Sequence, residues 1–310
     1  MKLRKITQKE FDTLTVNECG IKECPSGDYS EINLFAEKCS FGEWCSFAKG
    51  CSFAYRCSFA DGCSFEKCSF AKGCSFGEWC SFAEKCSFGE RCSFAERCSF
   101  AEWCSFAERC SFAKGCHFAE LCDFADGCSF AEWCSFAERC SFAEECSFAK
   151  WCIFAERCSF AEECSFAEGC RFAEWCSCAK GCSFAERCRF AEKCSFGERC
   201  SFAEECSFAE ECSFAKRCSF AERCSFAEEC SFEDRESKVL QPYFIRINNI
   251  GSRIDGCIIF NFEDGIYVRS GCWFGSEKDF IEKVKEVHKG NKHEKEYLLA
   301  IELARVTFGK

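Results

Sequence analysis

Cys92-Ser93-Phe94-Ala95-Glu96-Arg97, Cys98-Ser99-Phe100-Ala101-Glu102-Trp103 and Cys104-Ser105-Phe106-Ala107-Glu108-Arg109 are one six-residue phrase written three times. From Cys39 to Phe232 the chain repeats that phrase more than thirty times, with little else between. Units this alike can bury their apolar faces only against copies of themselves, so the period specifies a solenoid. Within a hexad, period-two alternation sends Cys and Phe to one side of a short strand and Ser to the other. Ala or Gly, Glu and a variable residue then form a corner.

The bias is confined to this segment. Between Phe35 and Phe232 lie 33 of the 40 phenylalanines and 33 repeat-position cysteines of the 38 in the chain. Residues 33–233 carry 22 Lys/Arg against 33 Asp/Glu, a net −11, whereas residues 1–32 carry −1 and residues 234–310 carry +1. The repeat is the acidic object and the flanks are close to neutral. No stretch has the eighteen or so apolar residues of a membrane span. Met1–Glu10 starts basic but lacks a hydrophobic segment, so it does not read as a signal peptide. A cytoplasmic protein with reduced thiols is the expectation.

Written from its aromatic, the unit Phe-(Ala/Gly)-Glu-x-Cys-Ser resembles the hexapeptide repeat of left-handed parallel β-helices. Phe takes the bulky place and Cys the small one; Phe41-Gly42 and Phe47-Ala48 fit the next position, and Phe65-Glu66 departs from it. The resemblance covers about two thirds of the chain and implies a mainly β fold, a left-handed helix of about eleven three-sided coils with a Phe/Cys core. At about 4.8 Å per coil this makes a rod about 50 Å long, and each buried Phe contributes on the order of 2 kcal/mol. Flat twelve-residue coils remain an alternative; five-residue sides, as in pentapeptide-repeat helices, fit less well because the unit has a sixth residue. Cys63-Ser64-Phe65-Glu66-Lys67 is one residue short, a tolerated deletion or a small kink.

Solenoid ends expose core and strand edges and must be covered. Residues 1–32 read as an N-terminal cap: Thr7-Gln8-Lys9-Glu10 is a capping box opening a short helix, with Phe11 and Leu14 over the first coil. Residues 234–310 read as a small α+β domain. It holds a hairpin of Cys257–Phe262 and Ile266–Cys272 about Glu263-Asp264-Gly265, then a helix after Ser276 bearing Phe280, Ile281, Val284 and Val287. Gly290 and Asn291 interrupt, and a second helix runs from about Glu294 to Val306. This tail resembles a segment of uncharacterised phage and bacterial proteins with similar Cys-Ser-Phe repeats, a likeness that implies no activity.

The cysteines lack the clustered Cys-x-x-Cys spacing of metal sites. Each lies six residues from the next and points beside Phe, where cysteine acts as a small hydrophobe, so no metal or cofactor is expected. Cys178 stands in a Phe position and leaves a gap. Left-handed β-helix acyltransferases use a catalytic histidine and extruded loops. This repeat has no insertion, and its one histidine, His117, occupies a Ser position; His288 and His293 fall on a tail helix. With no phosphate loop or Ser/His/Asp arrangement either, the chain reads as non-catalytic. Its outward serines are similar to the hydroxyl rows of ice-binding solenoids, but one Ser per hexad between charged corners is a poor match.

The irregular positions say more. Ser gives way to His117, Asp123, Ile153, Arg171 and Arg189. Eighteen-residue coils place His117, Ile153, Arg171 and Arg189 on one face. The corner before it carries Trp133, Trp151 and Arg187; the corner after it carries Arg139, Arg157, Trp175 and Lys193. Aromatics beside arginine are what binding hot spots are made of. Trp133, Trp151, Ile153, Arg157, Arg171, Trp175, Arg187 and Arg189 are therefore the candidate partner-binding residues of a rigid scaffolding rod. The expected partner is a protein, with self-association through the C-terminal domain and neither nucleic acid nor membrane as a direct ligand. The alternative is an acidic mimic of DNA that occupies a nucleic-acid-processing enzyme: Glu144-Glu145 and Glu162-Glu163 stack on one corner, and Glu204-Glu205, Glu210-Glu211 and Glu228-Glu229 crowd the last coils.

Overall fold

Alternation decides the strands. Cys98 and Phe100 point inward and are buried while Ser99 is exposed, and the same pattern recurs along the repeat. The computed structural model describes residues 3–215, 217–221, 224–227, 230–232, 239–247, 250–251, 257–262, 265–270 and 273–310. Glu228-Glu229 and the exit segment Glu233–Ser237 lie outside these residues. Among the described residues, three parallel sheets hold twelve strands each. Face 1 runs from Lys22–Cys24 to Ser219–Phe220, face 2 from Asp28–Tyr29 to Ser225–Phe226, and face 3 from Leu34–Phe35 to Ser231–Phe232. Ser111 pairs with Ser129 and Ser93 with Ser111, an offset of eighteen residues. The coils are thus three-sided, which removes the flat twelve-residue alternative. Eleven repeat coils follow a first coil built from non-repeat sequence, Lys22–Phe35.

Three backbone hydrogen bonds per hexad tie coil to coil. The Ser111 N–H donates to the Cys92 carbonyl at 3.0 Å and the Ala113 N–H to the Phe94 carbonyl at 2.9 Å. The corner residue before each Cys donates the other way, as Arg97 does to the Lys114 carbonyl at 3.0 Å. To aim that N–H forward, the corner residue adopts the left-handed conformation: φ is 60° at Arg97, 63° at Trp103 and 70° at Gly115. Non-glycine residues enter this region at a cost of roughly 1 kcal/mol, and β-branched ones almost never. The slot accordingly accepts Gly, Lys, Arg, Glu, Leu and Trp but holds no Val, Ile or Thr among the described residues.

Inside, the phenyl rings form columns. Phe112 stacks on Phe130 one coil on, with centroids 4.8 Å apart and planes 3° apart, and meets Phe118 of its own coil edge-on at 5.0 Å. Both are favourable ring geometries. Cysteine adds what a plain hydrophobe would not. The Cys134 thiol donates to the Ala113 carbonyl at 3.5 Å and the Cys176 thiol to the Ala155 carbonyl at 3.3 Å, a pattern carried down the solenoid. These corner carbonyls face a core in which an unpaired acceptor is costly, and a thiol is a weak donor small enough to sit under a phenyl ring.

Two irregularities are absorbed locally. At the short unit the register holds, Ser52 pairing with Ser69 and Phe53 stacking on Phe70 at 4.9 Å. What is lost is the Ala slot. Cys86, whose thiol would reach that missing residue's carbonyl, has no corner carbonyl bond of the kind Cys80 and Cys92 make. At Cys178, the face 3 column runs Phe160, Cys178, Phe196. Phe172 responds by tilting 14° from Phe154 and 16° from Phe190.

Helix α1 (Gln8–Thr13) opens on a Thr7/Glu10 capping box, and Phe11 sets its ring edge-on against Tyr29 and Phe35. By compactness the chain divides into residues 1–207 with 217–224, and residues 208–216 with 225–310. The second unit contains an antiparallel meander, Val239–Ile247, Cys257–Phe262, Gly265–Ser270 and Trp273–Ser276. Helices α2 (Glu277–Val287) and α3 (Lys292–Phe308) follow it. The expected hairpin is there as Cys257–Phe262 and Gly265–Ser270, with two further strands outside it; Glu263 and Asp264 of its turn, and Gly271 and Cys272 at the expected end of its second strand, lie outside the described residues. Ser276 and Asn291 cap the two helices, and Phe280, Val284, Tyr297 and Ile301 pack on Ile259 and Val268. Burial there pushes the Cys257 thiol up to about 12. Leu299, Leu303 and Val306 leave an exposed apolar row on α3. No helix among the described residues is long and apolar enough to cross a membrane.

Candidate partner-binding face

Face 2 collects the irregular outward residues. Its register runs Ser99, His117, Ser135, Ile153, Arg171, Arg189 on successive coils. Asp123 falls on face 3 instead, paired with Ser105 and Ser141. Because Cys and Phe take the inward positions, these side chains point outward, where His117 Nδ1 and Ser135 Oγ share a hydrogen bond of 2.5 Å. Ile153 is 47% exposed, and Arg171 and Arg189 are exposed on adjacent strands. Neither arginine has an ion-pair partner among the described residues. Like charges directly opposite on neighbouring strands work against pairing, so the fold gains nothing from this arrangement.

Two corners flank the face. On the corner leading in, Trp133 and Trp151 stack with centroids 5.9 Å apart and planes 19° apart. Trp151 then lies over Gly169, where an added Cβ would come within 2.7 Å of the indole. Trp151 and Arg187 adopt a like backbone in the same slot, with φ of 65° and 60° against 75° at Gly169, so it is the ring above Gly169 that requires glycine. Trp44 covers Gly62 in the same way. Corner side chains also meet across coils: Arg97 lies over Trp79 at 4.8 Å, and Lys193 over Trp175 at 5.0 Å on the corner leading out.

Arg187 is less available than its sequence position implies. It donates to Glu205 at 3.0 Å and Glu168 at 3.3 Å, and Lys150 also reaches Glu168 at 3.0 Å. The Lys150 ammonium and then Arg187 hold the Glu168 carboxyl below the usual carboxylate range. Arg157 and Trp175 are exposed on the corner leading out, at φ 60° and 61°. The structure thus gathers all eight candidate residues along face 2 and its borders, with Arg187 already engaged.

The corner leading out carries a second feature. Successive intercoil bonds to Glu66, Glu84, Glu102 and onward to Glu192 align one glutamate per coil without a break. The third corner drops at Gly73 to an open depression of about 600 Å³ between Tyr55, Arg56 and Arg91, away from face 2. Among the described residues no group of three or more His, Cys, Asp or Glu is placed to hold a metal ion.

No family model matches the chain, and no curated protein matches it. Among solved structures it is similar to ORF18 of Geobacillus virus E2, with 13% identity and a TM-score of 0.26 over 86% of this chain and 64% of that one. The match thus spans less than two thirds of the viral protein. At that score it bears on neither activity nor partner.

Proposed function

We propose that the solenoid is a rigid, non-catalytic binding rod that recognises a protein partner through face 2. The observation that carries this reading is the unpaired Arg171–Arg189 stack beside exposed Ile153, bordered by the Trp133–Trp151 pair. On a segment of net charge −11, two mid-face guanidiniums without carboxylates among the described residues weaken the fold locally and suit a partner that supplies them. Tryptophan and arginine around a desolvated centre are the usual anchors of such contacts. The closed Phe/Cys core keeps every coil in one geometry, so the face is preorganised and little ordering opposes binding.

The test is retention of protein from nuclease-treated host lysate by the immobilised full-length chain. Trp151→Ala combined with Arg171→Glu is expected to abolish retention with an unchanged thermal midpoint, while Arg109→Glu on the third corner retains it. Equal retention by all three chains would sink the reading.

The glutamate column from Glu66 to Glu192 favours a second reading, the DNA mimic. Its carboxylates repeat at about 4.8 Å, sparser than the one charge per about 1.7 Å of duplex DNA, which ranks it second. It requires that duplex DNA displace the partner and that Glu→Gln changes along the column weaken binding.

A further inference from the structure

We infer that the depression at Gly73 is a binding site for a nucleoside diphosphate, its phosphates held among Lys38, Arg56 and Arg91 and its base laid on Tyr55. The site lies on the third corner and stands independently of the binding-face reading above.

Three departures from the hexad converge there. Along that corner the left-handed slots run Lys38, Arg56, Gly73, Arg91, Arg109 on successive coils. Glycine in the third slot removes one side chain and opens about 600 Å³, a volume within the roughly 300–1,000 Å³ of small-molecule sites. One position before the slot, where the hexad places Glu, the same corner carries Tyr55 and Lys72 on two successive coils. No other two successive coils of a corner lack that carboxylate. The third corner steps in again at Gly127 and Gly181, but there a carboxylate takes one side, Glu145 after Gly127 and Glu163 before Gly181. Among the glycine slots, Gly73 alone has an arginine on either side.

The charge at this recess is uncompensated. Four cations and one carboxylate line it. That carboxylate, Glu37, is engaged by Tyr55, whose hydroxyl the hydrogen bond raises above its ordinary value. Glu90 at the rim bonds Lys72 at 2.8 Å, and that bond, with Arg91 and Arg109 nearby, holds its carboxyl below the usual range. Lys38, Arg56 and Arg91 have no ion-pair partner among the described residues. A single carboxylate would leave most of that charge unanswered. A diphosphate carries more than one negative charge and presents oxygens in several directions, which suits guanidiniums arriving from opposite sides. Arg56 and Arg91 start two coils apart, roughly 10 Å, so both long side chains reach a group held over Gly73. Tyr55 supplies the rest. Its ring is half exposed, no other ring or cation lies over it among the described residues, and an open aromatic face accepts a stacked base. Beyond a Debye length of about 8 Å at physiological salt, the acidic charge of the rest of the rod is screened from the site.

Isothermal titration calorimetry of the full chain with ADP, and with pyrophosphate as the base-free arm, tests this. ADP is expected to saturate one site, with pyrophosphate binding more weakly. Arg56→Gln and Arg91→Gln are each expected to weaken ADP about fivefold, the loss of one charge-assisted contact in an open site. Gly73→Trp is expected to abolish binding by filling the recess. The fold accommodates that change, since an added Cβ meets only Arg56 Cγ at 3.8 Å and Trp103 holds the same type of slot at φ 63°; an unchanged thermal midpoint verifies it. Arg109→Gln, one coil beyond Arg91, is expected to leave ADP binding unchanged. Saturation by neither ligand overturns the inference, as does ADP binding that survives Gly73→Trp or falls equally with Arg109→Gln. Pyrophosphate binding as tightly as ADP removes the seat on Tyr55 and the nucleoside with it.

Discussion

At the scale of single residues, the repeat is stricter than its hydrophobic pattern requires. Inward Cys and Phe and outward Ser are legible from alternation alone. The corner slot looked free in sequence because Lys, Arg, Glu, Trp and Gly share no chemistry. What they share is tolerance of a left-handed backbone, as at Lys38, Trp44 and Gly50 with φ of 57°, 58° and 77°. The donor role of cysteine was equally hidden, since a small apolar reading already accounts for its burial. Cys178 shows what one departure does: burial pushes its thiol well above the ordinary value, and Phe172 leans out of its column. Cys178→Phe is expected to complete the column and raise stability by about 2 kcal/mol, read from the denaturant midpoint. A lowered midpoint would show that the core has closed around the cysteine.

At the scale of elements, sequence and structure agree wherever a local rule acts alone. The Thr7/Glu10 box, the Ser276 cap and the Gly290-Asn291 break appear where their chemistry places them. The C-terminal sheet was only half legible. Val239–Ile247 contains Pro242, which argues against a strand, yet the strand lies at the sheet edge, where proline is tolerated. Its pairing shifts register between Val239 and Phe244, the stretch that contains the proline. Trp273–Ser276 was missed because its last residue doubles as a helix cap. In α3, His293, the Gly251 N–H and Lys292 together lower the Glu296 carboxyl to about 2. A depressed carboxyl contributes stability that is present above its unfolded value of 4.5 and lost as pH falls toward 2. Acid unfolding of the C-terminal unit is therefore expected to have a component in that window that Glu296→Gln removes. An unchanged acid profile in the variant would show that these contacts do not persist in solution.

For the whole molecule, period and composition make the solenoid legible, while function lies in the few positions where the period fails. Face 2 could be read in advance because an eighteen-residue coil fixes which outward residues align. The engagement of Arg187 and the contacts of corner side chains across coils could not, since both depend on neighbours a full coil away. The six corner tryptophans offer a direct test that the middle of face 2 is the working surface. Trp133, Trp151 and Trp175 are 52%, 36% and 50% exposed, and Trp44, Trp79 and Trp103 are 62%, 53% and 53% exposed in the same type of slot. Hydroxyl-radical footprinting of the free and the bound chain compares the two sets within one molecule. Protection of Trp133, Trp151 and Trp175 on binding, with Trp44, Trp79 and Trp103 unchanged, is the expected result. Equal protection of both sets, or protection of the second set alone, would contradict the account.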